Sequence, residues 1–348
     1  MRWGTVHLSQ EDNLSFFTRG YQVTAASLTA LALALPFATQ SLAQDERPET
    51  SPASRVPELR ANAMEPSDDR VFGGKEAAKG AWPFQVALLT TEWLDDSPES
   101  QPNAQFCGGS LIAPNWVLTA AHCLYDFGEA IPAETVTVLS EATNLAEGKR
   151  LAVAEVIVHE GYDPSTLDND IGLLRLSDSA TAPTIAMTSD DPDGGDATVI
   201  GWGMMDDGSF PNNLMEASIK LFPNAACNSG IKEIYARDIG IILRDYAWRM
   251  RYSETAIDDA VQTMAATMGD PLTDNMLCAG EADGARDACN GDSGGPLFTI
   301  VGGKPVQVGI VSWGEGPIDA DAACGHANAY GIYTRLANYQ DWIADKMK

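Results

Sequence analysis

The chemistry of this chain gathers around Ser293, which stands in the run Gly291-Asp292-Ser293-Gly294-Gly295-Pro296. Flanking glycines let the backbone turn sharply and bring its N–H groups close to the serine hydroxyl. A nucleophile with an adjacent oxyanion site needs that arrangement, although Gly-Asp-Ser-Gly on its own is also a fair turn sequence. A serine hydroxyl is a weak nucleophile and needs a base. The chain has four histidines, His7, His122, His159 and His326. Of these, His122 ends the apolar run Leu118-Thr119-Ala120-Ala121-His122-Cys123, a setting that fixes an imidazole against a packed wall. A base in turn needs an orienting carboxylate. Asp170 opens the buried-strand pattern Asn169-Asp170-Ile171-Gly172-Leu173-Leu174, and a carboxylate entering an apolar run is costly unless it is partnered. The candidate catalytic set, in chain order, is therefore His122, Asp170 and Ser293.

The other histidines read as bystanders. His159 precedes Glu-Gly after a strand, and His326 sits in a Gly/Ala/Asn loop, so both are expected to face solvent. Six cysteines make an even set that suits three disulfides and an oxidising compartment. By number alone they allow fifteen connectivities. No Cys-x-x-Cys occurs and His122 adjoins Cys123, so neither a metal site nor a cofactor is expected.

Eight motifs occur in order between Val71 and Lys348: Val71-Phe72-Gly73-Gly74, Cys107-Gly108-Gly109-Ser110-Leu111-Ile112, Thr119-Ala120-Ala121-His122-Cys123, Asn169-Asp170-Ile171, Gly201-Trp202-Gly203, Gly291-Asp292-Ser293-Gly294-Gly295-Pro296, Ser312-Trp313-Gly314 and Gly331-Ile332-Tyr333-Thr334. On these the chain resembles the secreted serine proteases of the trypsin/chymotrypsin family, in their trypsin-like branch. The resemblance implies an all-β domain of two six-stranded antiparallel β-barrels with the active site between them, closed by a C-terminal helix. It implies disulfides Cys107–Cys123, Cys227–Cys278 and Cys289–Cys324. It also implies a serine endopeptidase made as a secreted zymogen, working through an acyl-enzyme.

Carried onto this chain, the resemblance makes the backbone N–H groups of Gly291 and Ser293 the oxyanion hole. Ser312 supports Asp170, Trp313 and Gly314 pair with the substrate backbone, and Gly314 and Gly331 keep a specificity pocket open. Asp287, six residues before Ser293, becomes the acid at the base of that pocket, where it wants a guanidinium or ammonium group; the plain alternative is a loop aspartate paired with Arg286. Cleavage is then expected after Arg, and less after Lys, because Ala288 supplies no hydroxyl beside the acid and Lys is the shorter group. Activation is expected by cleavage after Arg70, by another protease or by the enzyme itself, freeing the Val71 amine to pair with Asp292. The partners expected are protein or peptide substrates, with the mature form a monomer. Tyr330, before Gly331, is compatible with a sodium site. Two rival readings remain: an inactive homologue serving as a binding module, and a lipase or esterase. The latter fold reads Gly-x-Ser-x-Gly in the order Ser, Asp, His, the reverse of this chain.

The elements that must position these residues are short. Runs at 84–89, 116–118, 153–158, 198–200 and 306–311 read as strands broken by Gly, Pro, Asn and Asp. Barrel one is expected over about 71–185, barrel two over about 186–335, and a helix over about 336–347 with Trp342 and Ile343 turned to the barrel. The family departure is the stretch 228–275 between Cys227 and Cys278. Ile257, Val261, Met264 and Met268 recur there at helical spacing over Ser253–Met268, and the resulting stripe must pack on the barrel or on something else. The first half of the stretch carries Lys232, Arg237, Arg244, Arg249 and Arg251, which suggests recognition of protein substrates with acidic flanks.

Upstream, residues 20–44 carry no charge and end in Ser41-Leu42-Ala43, as a signal peptide over 1–43 would. An uncleaved anchor helix is the alternative, opposed by Pro36 and Thr39-Gln40-Ser41. Residues 44–70 are rich in Pro, Glu and Asp and are expected to be a disordered prosegment. The formal net charge is −27. Residues 1–70 hold six basic and nine acidic residues, so the remainder still carries about −24. Such a surface repels nucleic acid and anionic membrane, and neither is an expected partner. The mature product is expected to be secreted, extracellular or periplasmic, and not membrane-spanning.

Overall fold

Alternating and continuous apolar runs fold into two barrels, seen in a computed structural model that describes residues 51–63, 74–190, 192, 194–320 and 324–348. Six strands close barrel one: β1 (Gln85–Thr90), β2 (Gln105–Ala113), β3 (Trp116–Thr119), β4 (Val136–Ser140), β5 (Lys149–Val158) and β6 (Gly172–Leu176). They are joined in the order β1-β2-β3-β6-β5-β4, all antiparallel. Six more close barrel two: β7 (Gly195–Gly201), β8 (Met215–Phe222), β9 (Met276–Gly280), β10 (Pro296–Val301), β11 (Lys304–Trp313) and β12 (Gly331–Arg335). The ring runs β8-β7-β10-β11-β12-β9 and back to β8. Lys75–Glu76 pairs with β8, so the first residues expected in barrel one are in fact tied to barrel two.

Closure leaves no free sheet edge in either ring and stacks the inward faces as cores. In barrel two Val199, Ile219, Leu277, Leu297, Val308 and Tyr333 interdigitate. Between the barrels Phe298 meets Trp82 at 4.7 Å and Phe84 at 5.6 Å between ring centroids. Polar ties cross the same seam. Ser110 Oγ donates to Gln307 Oε1 at 2.7 Å, and the Gly108 N–H donates to the Ser293 carbonyl at 2.7 Å. Barrel one thereby grips the peptide of Ser293 itself. The three disulfides join Cys107 to Cys123, Cys227 to Cys278 and Cys289 to Cys324. A turn at Leu336–Tyr339 leads into a C-terminal helix over Gln340–Lys346, whose Ile343 is buried with barrel-one residues.

Two stretches differ from the sequence reading. Helix α1 (Pro52–Asn62) lies within the segment expected to be a disordered prosegment. Its composition averages to polar, but Val56, Pro57 and Arg60 are buried, and Val56 joins the barrel-one core. Pro57 has no N–H for the Ala53 carbonyl four residues back, and Thr90 Oγ1 donates to that carbonyl at 2.7 Å instead. The second stretch is the insertion. Its first half is helix α2 (Asn224–Met250), longer than anything the sequence suggested, and its second half is α3 (Glu254–Thr267), capped by Ser253. Of the stripe on α3, Ile257 is buried and Val261 lies near Gly240 of α2, while Met264 is exposed. Among the described residues no helix is long and apolar enough to cross a membrane.

Candidate active site

Asp170 is placed by a tight local device. Asn169 stands at φ +56°, and the Ile171 N–H bonds back to the Asn169 carbonyl at 2.8 Å. The left-handed position is one that Asn tolerates better than most residues. The Asn169 side chain is fixed by donating to the Gly161 carbonyl at 2.9 Å and accepting from Tyr339 Oη at 3.0 Å. The turn drives Asp170 inward, where it is 1 % exposed. Its Oδ2 takes His122 Nδ1 at 2.7 Å and the Ser312 hydroxyl at 2.5 Å, while Oδ1 takes the His122 backbone N–H at 2.8 Å. Thr334 Oγ1 donates to its carbonyl at 2.6 Å. Three donors around two carboxylate oxygens hold the side chain stationary and place His122 Nδ1 where its N–H donates to Asp170.

Ser293 stands across from His122 on the loop before β10, and both line one cavity of about 350 Å³. His122 Nε2 lies 3.8 Å from Cys123 Sγ, and among the described residues no hydrogen bond links it to Ser293 Oγ. Catalytic contacts of this kind are often looser before a substrate is bound. The loop itself is over-determined. Asn290 accepts from the Met204 N–H at 2.8 Å and Asp292 from the Gly295 N–H at 2.9 Å through their carbonyls. In trans peptides the N–H points opposite to the carbonyl, so the N–H groups of Gly291 and Ser293 are aimed away from those partners. Gly294 has φ +79° and lies so close to barrel one that a Cβ there would stand 2.1 Å from Thr119 Oγ1. Only glycine fits.

Asp287, at 7 % exposure, lines the same cavity. Its Oδ1 accepts the Ala288 N–H at 2.8 Å. Arg286 turns away, donating to the Ser218 carbonyl at 2.8 Å and pairing with Glu281 at 3.2 Å, so it is not the partner of Asp287. A Cβ on Gly331 would stand 2.7 Å from Asp287 Oδ1, which makes that glycine the condition for an open pocket. A Cβ on Gly314 would meet nothing within 4 Å. Gly314 therefore borders open space at the rim, next to Trp313 and Ser312.

The trypsin family model matches residues 71–242 and 249–343 of this chain. The chain belongs to the trypsin family. It is 31% identical over 288 residues to Trypsin Blo t 3 of Blomia tropicalis, across 79% of this chain and 85% of that protein. It is 32% identical over 288 residues to vitamin K-dependent protein C of Oryctolagus cuniculus and 32% over 296 residues to mannan-binding lectin serine protease 1 of Rattus norvegicus. It spans 54% and 35% of the length of those two. Serine proteases and hydrolases are what the family comprises, and its members are commonly secreted, with which three disulfides agree.

Within this trypsin-family site two acids carry a shifted proton affinity. Burial pushes Asp287 up to about 7, against hydrogen bonds from the backbone of Ala288 and Gly325. Burial pushes Asp292 up to about 6, opposed by N–H bonds from Cys289 and Gly203 and by the Arg60 charge. Both groups hold protons more tightly folded than unfolded, so unfolding releases protons and stability falls as pH rises from about 5 to 7. His159, whose pKa burial lowers, acts in the opposite direction over part of that window. The expected result is therefore a difference: the fall in Tm between pH 5 and 8 should be several degrees smaller in Asp287→Asn than in the wild type. Differential scanning calorimetry reads this, and equal falls would contradict it.

Sequence reasoning missed some of the site. Gln105 Nε2 holds the Gly291 carbonyl at 2.8 Å, bracing the loop from barrel one, and nothing in the local pattern marked it. Tyr333 turns a buried hydroxyl, without a protein partner among the described residues, toward the electrostatic field of Asp287. His159 is half-buried against Tyr339 and Trp342, with ring centroids at 5.4 and 5.0 Å, and is not solvent-facing. His326 is half-buried too, against Gly316. Tyr330 is buried on Phe222 at 4.8 Å. Arg70, Val71 and the signal peptide expected over 1–43 lie outside the described residues.

Proposed function

We propose that this trypsin-family chain is a serine endopeptidase, made as a secreted zymogen, that cleaves after arginine and less readily after lysine. The observation that carries the reading is Asp287. It is a buried carboxylate on the wall of the cavity that Ser293 and His122 also line, and among the described residues no lysine or arginine pairs with it. A guanidinium entering from the substrate supplies the missing partner through a bidentate pair.

With that side chain seated, the scissile carbonyl lies at the cavity mouth. Ser293 Oγ attacks the carbonyl carbon and gives its proton to His122 Nε2. The oxyanion forms opposite the N–H groups of Gly291 and Ser293. His122, held by Asp170, returns the proton to the leaving amine, and water repeats the sequence on the acyl-enzyme. Cleavage after Arg70 frees the Val71 amine for Asp292. Labelling by a fluorophosphonate tests the reading: the chain cut after Arg70 should be modified at Ser293 and lose its hydrolysis of an arginine amide. Absence of labelling would favour the binding-module reading.

Ser312→Ala removes one of three donors on Asp170. Hydrogen bonds to charged groups contribute about 1.5–3 kcal/mol, so kcat should drop about tenfold while KM stays within twofold. Steady-state kinetics on an arginine amide checks this, and an unchanged kcat would contradict it.

The insertion supports a second specificity element. Tyr235 Oη donates to Glu315 Oε1 at 2.8 Å, Arg237 pairs with Asp319, and Asp238 Oδ2 accepts the Ile318 N–H at 3.0 Å. These ties hold the loop that follows Gly314. Lys232 is engaged by Asp270, and Arg244 by Glu254 and Asp258, so a patch for acidic substrate flanks reduces to Arg249 and Arg251. Excising residues 239–268, beyond the buried Ile231 and Ile234, should reduce kcat/KM on folded protein substrates about tenfold, or 1.4 kcal/mol, and spare peptide amides. Equal losses on both classes would make the insertion purely structural.

A further inference from the structure

We propose that residues 51–63 are an intramolecular ligand of the catalytic cleft: α1 seats Arg55 on the loop before Ser293 and Arg60 on the Trp202 segment that also holds Asp292. The inference rests on the functional reading above and adds to it the partner that occupies the site before processing.

The contacts are specific. Arg55 donates to Asn290 Oδ1 at 2.7 Å, immediately before the Gly291 peptide. Pro52, Arg55 and Val56 form part of the wall of the cavity that His122, Asp287 and Ser293 share. At the other end of α1, Arg60 is 8 % exposed, donates to the Trp202 carbonyl and stacks its guanidinium 4.6 Å from the centroid of Phe210. Asp292 packs on the two neighbours of Trp202: its Oδ1 accepts the Gly203 N–H at 2.7 Å, and a Cβ on Gly201 would stand 2.0 Å from Oδ1. A buried carboxylate and a buried guanidinium on one short segment offset each other's loss of water. Asp292 is also the charge that counters the burial of Arg60.

The latch is therefore a placeholder. Before cleavage, a side chain from the prosegment stands in the charge field of Asp292, and another stands on the oxyanion-side loop. After cleavage at Arg70, no disulfide retains 51–63, because the first cysteine is Cys107. The helix then becomes a separable ligand, and Asp292 is released to the new Val71 amine. While tethered, α1 has a high effective concentration at the cleft; once free it must bind by its own affinity.

The test uses the full chain carrying Ser293→Ala, folded, cut after Arg70 by an added arginine-specific protease and freed of its prosegment. Ser293→Ala keeps the probe intact, since 51–63 itself contains two arginines. A fluorescein-labelled synthetic peptide of residues 51–63 is titrated by anisotropy. Saturable binding below about 1 mM is expected, displaced by an unlabelled arginine-containing peptide that spans the cleft. Peptides carrying Arg55→Ala or Arg60→Met should each bind at least about tenfold more weakly. No saturable binding, no displacement, or a variant peptide that binds as tightly as the parent peptide overturns the proposal. If the processed protein with Ser293 intact fails to hydrolyse an arginine amide, the functional reading fails, and the binding measurement still decides this inference by itself.

Discussion

Asp170→Asn is expected to lower kcat on an arginine amide by about 10⁴-fold, with KM within a few-fold of wild type and a Tm within a few degrees. The reason lies in the donors that surround this side chain. Asp170 receives the His122 backbone N–H, His122 Nδ1–H and the Ser312 hydroxyl. An asparagine has the same shape but only one acceptor oxygen. Its NH₂ must face one of those groups, and the imidazole answers by moving its proton to Nε2. That nitrogen then cannot accept the Ser293 proton. Kinetics and calorimetry on the same preparation separate this from unfolding. A loss under tenfold with an unchanged fold would show that His122 does not depend on Asp170 for its tautomer.

Asp287→Ser should be the second large effect, and it should discriminate between substrates. Removing one member of a buried charge pair costs about 2–5 kcal/mol, so kcat/KM for arginine substrates should fall about 30- to 5,000-fold. Labelling of Ser293 by a small neutral fluorophosphonate should stay within threefold, because such a probe carries no cation for Asp287 to bind and Asp287 makes none of the contacts that hold His122. Equal losses in both assays would mean that Asp287 supports the loop rather than the substrate. Two backbone bonds, from Ala288 and Gly325, hold it in place, and neither brings a charge to its carboxylate.

Some of this architecture was legible in the residues and some was not. Ser293, His122 and Asp170 could be read because each is an expensive residue in its setting: a serine among glycines, an imidazole at the end of an apolar run, an acid at the head of a buried strand. The structure brings His122 and Asp170 into contact and sets Ser293 on the same cavity. Several barrel strands followed from continuous apolar runs, as in β1, where 85–89 are all buried, whereas β8, with its alternating burial, was not picked out. Helix α1 was not legible. Pro52 and Pro57 and the acidic surroundings read as disorder, and the helix forms because tertiary partners complete it: Thr90 takes the carbonyl that Pro57 leaves, and Trp202 and Phe210 receive Arg60. Helix α2 was obscured because charged residues recur around it, and their partners, Asp319 and Asp270 among them, lie far off in sequence. Gln105 illustrates the same limit at the site itself, since its partner Gly291 lies 186 positions away.

The most direct measurement is the cleavage profile of the chain cut after Arg70, taken over a peptide library of random sequence with products identified by mass spectrometry. Cleavage should fall overwhelmingly after arginine, then after lysine, with little after phenylalanine or leucine, and it should vanish in Ser293→Ala. A dominant preference for phenylalanine or leucine, or cleavage that survives Ser293→Ala, would contradict the account.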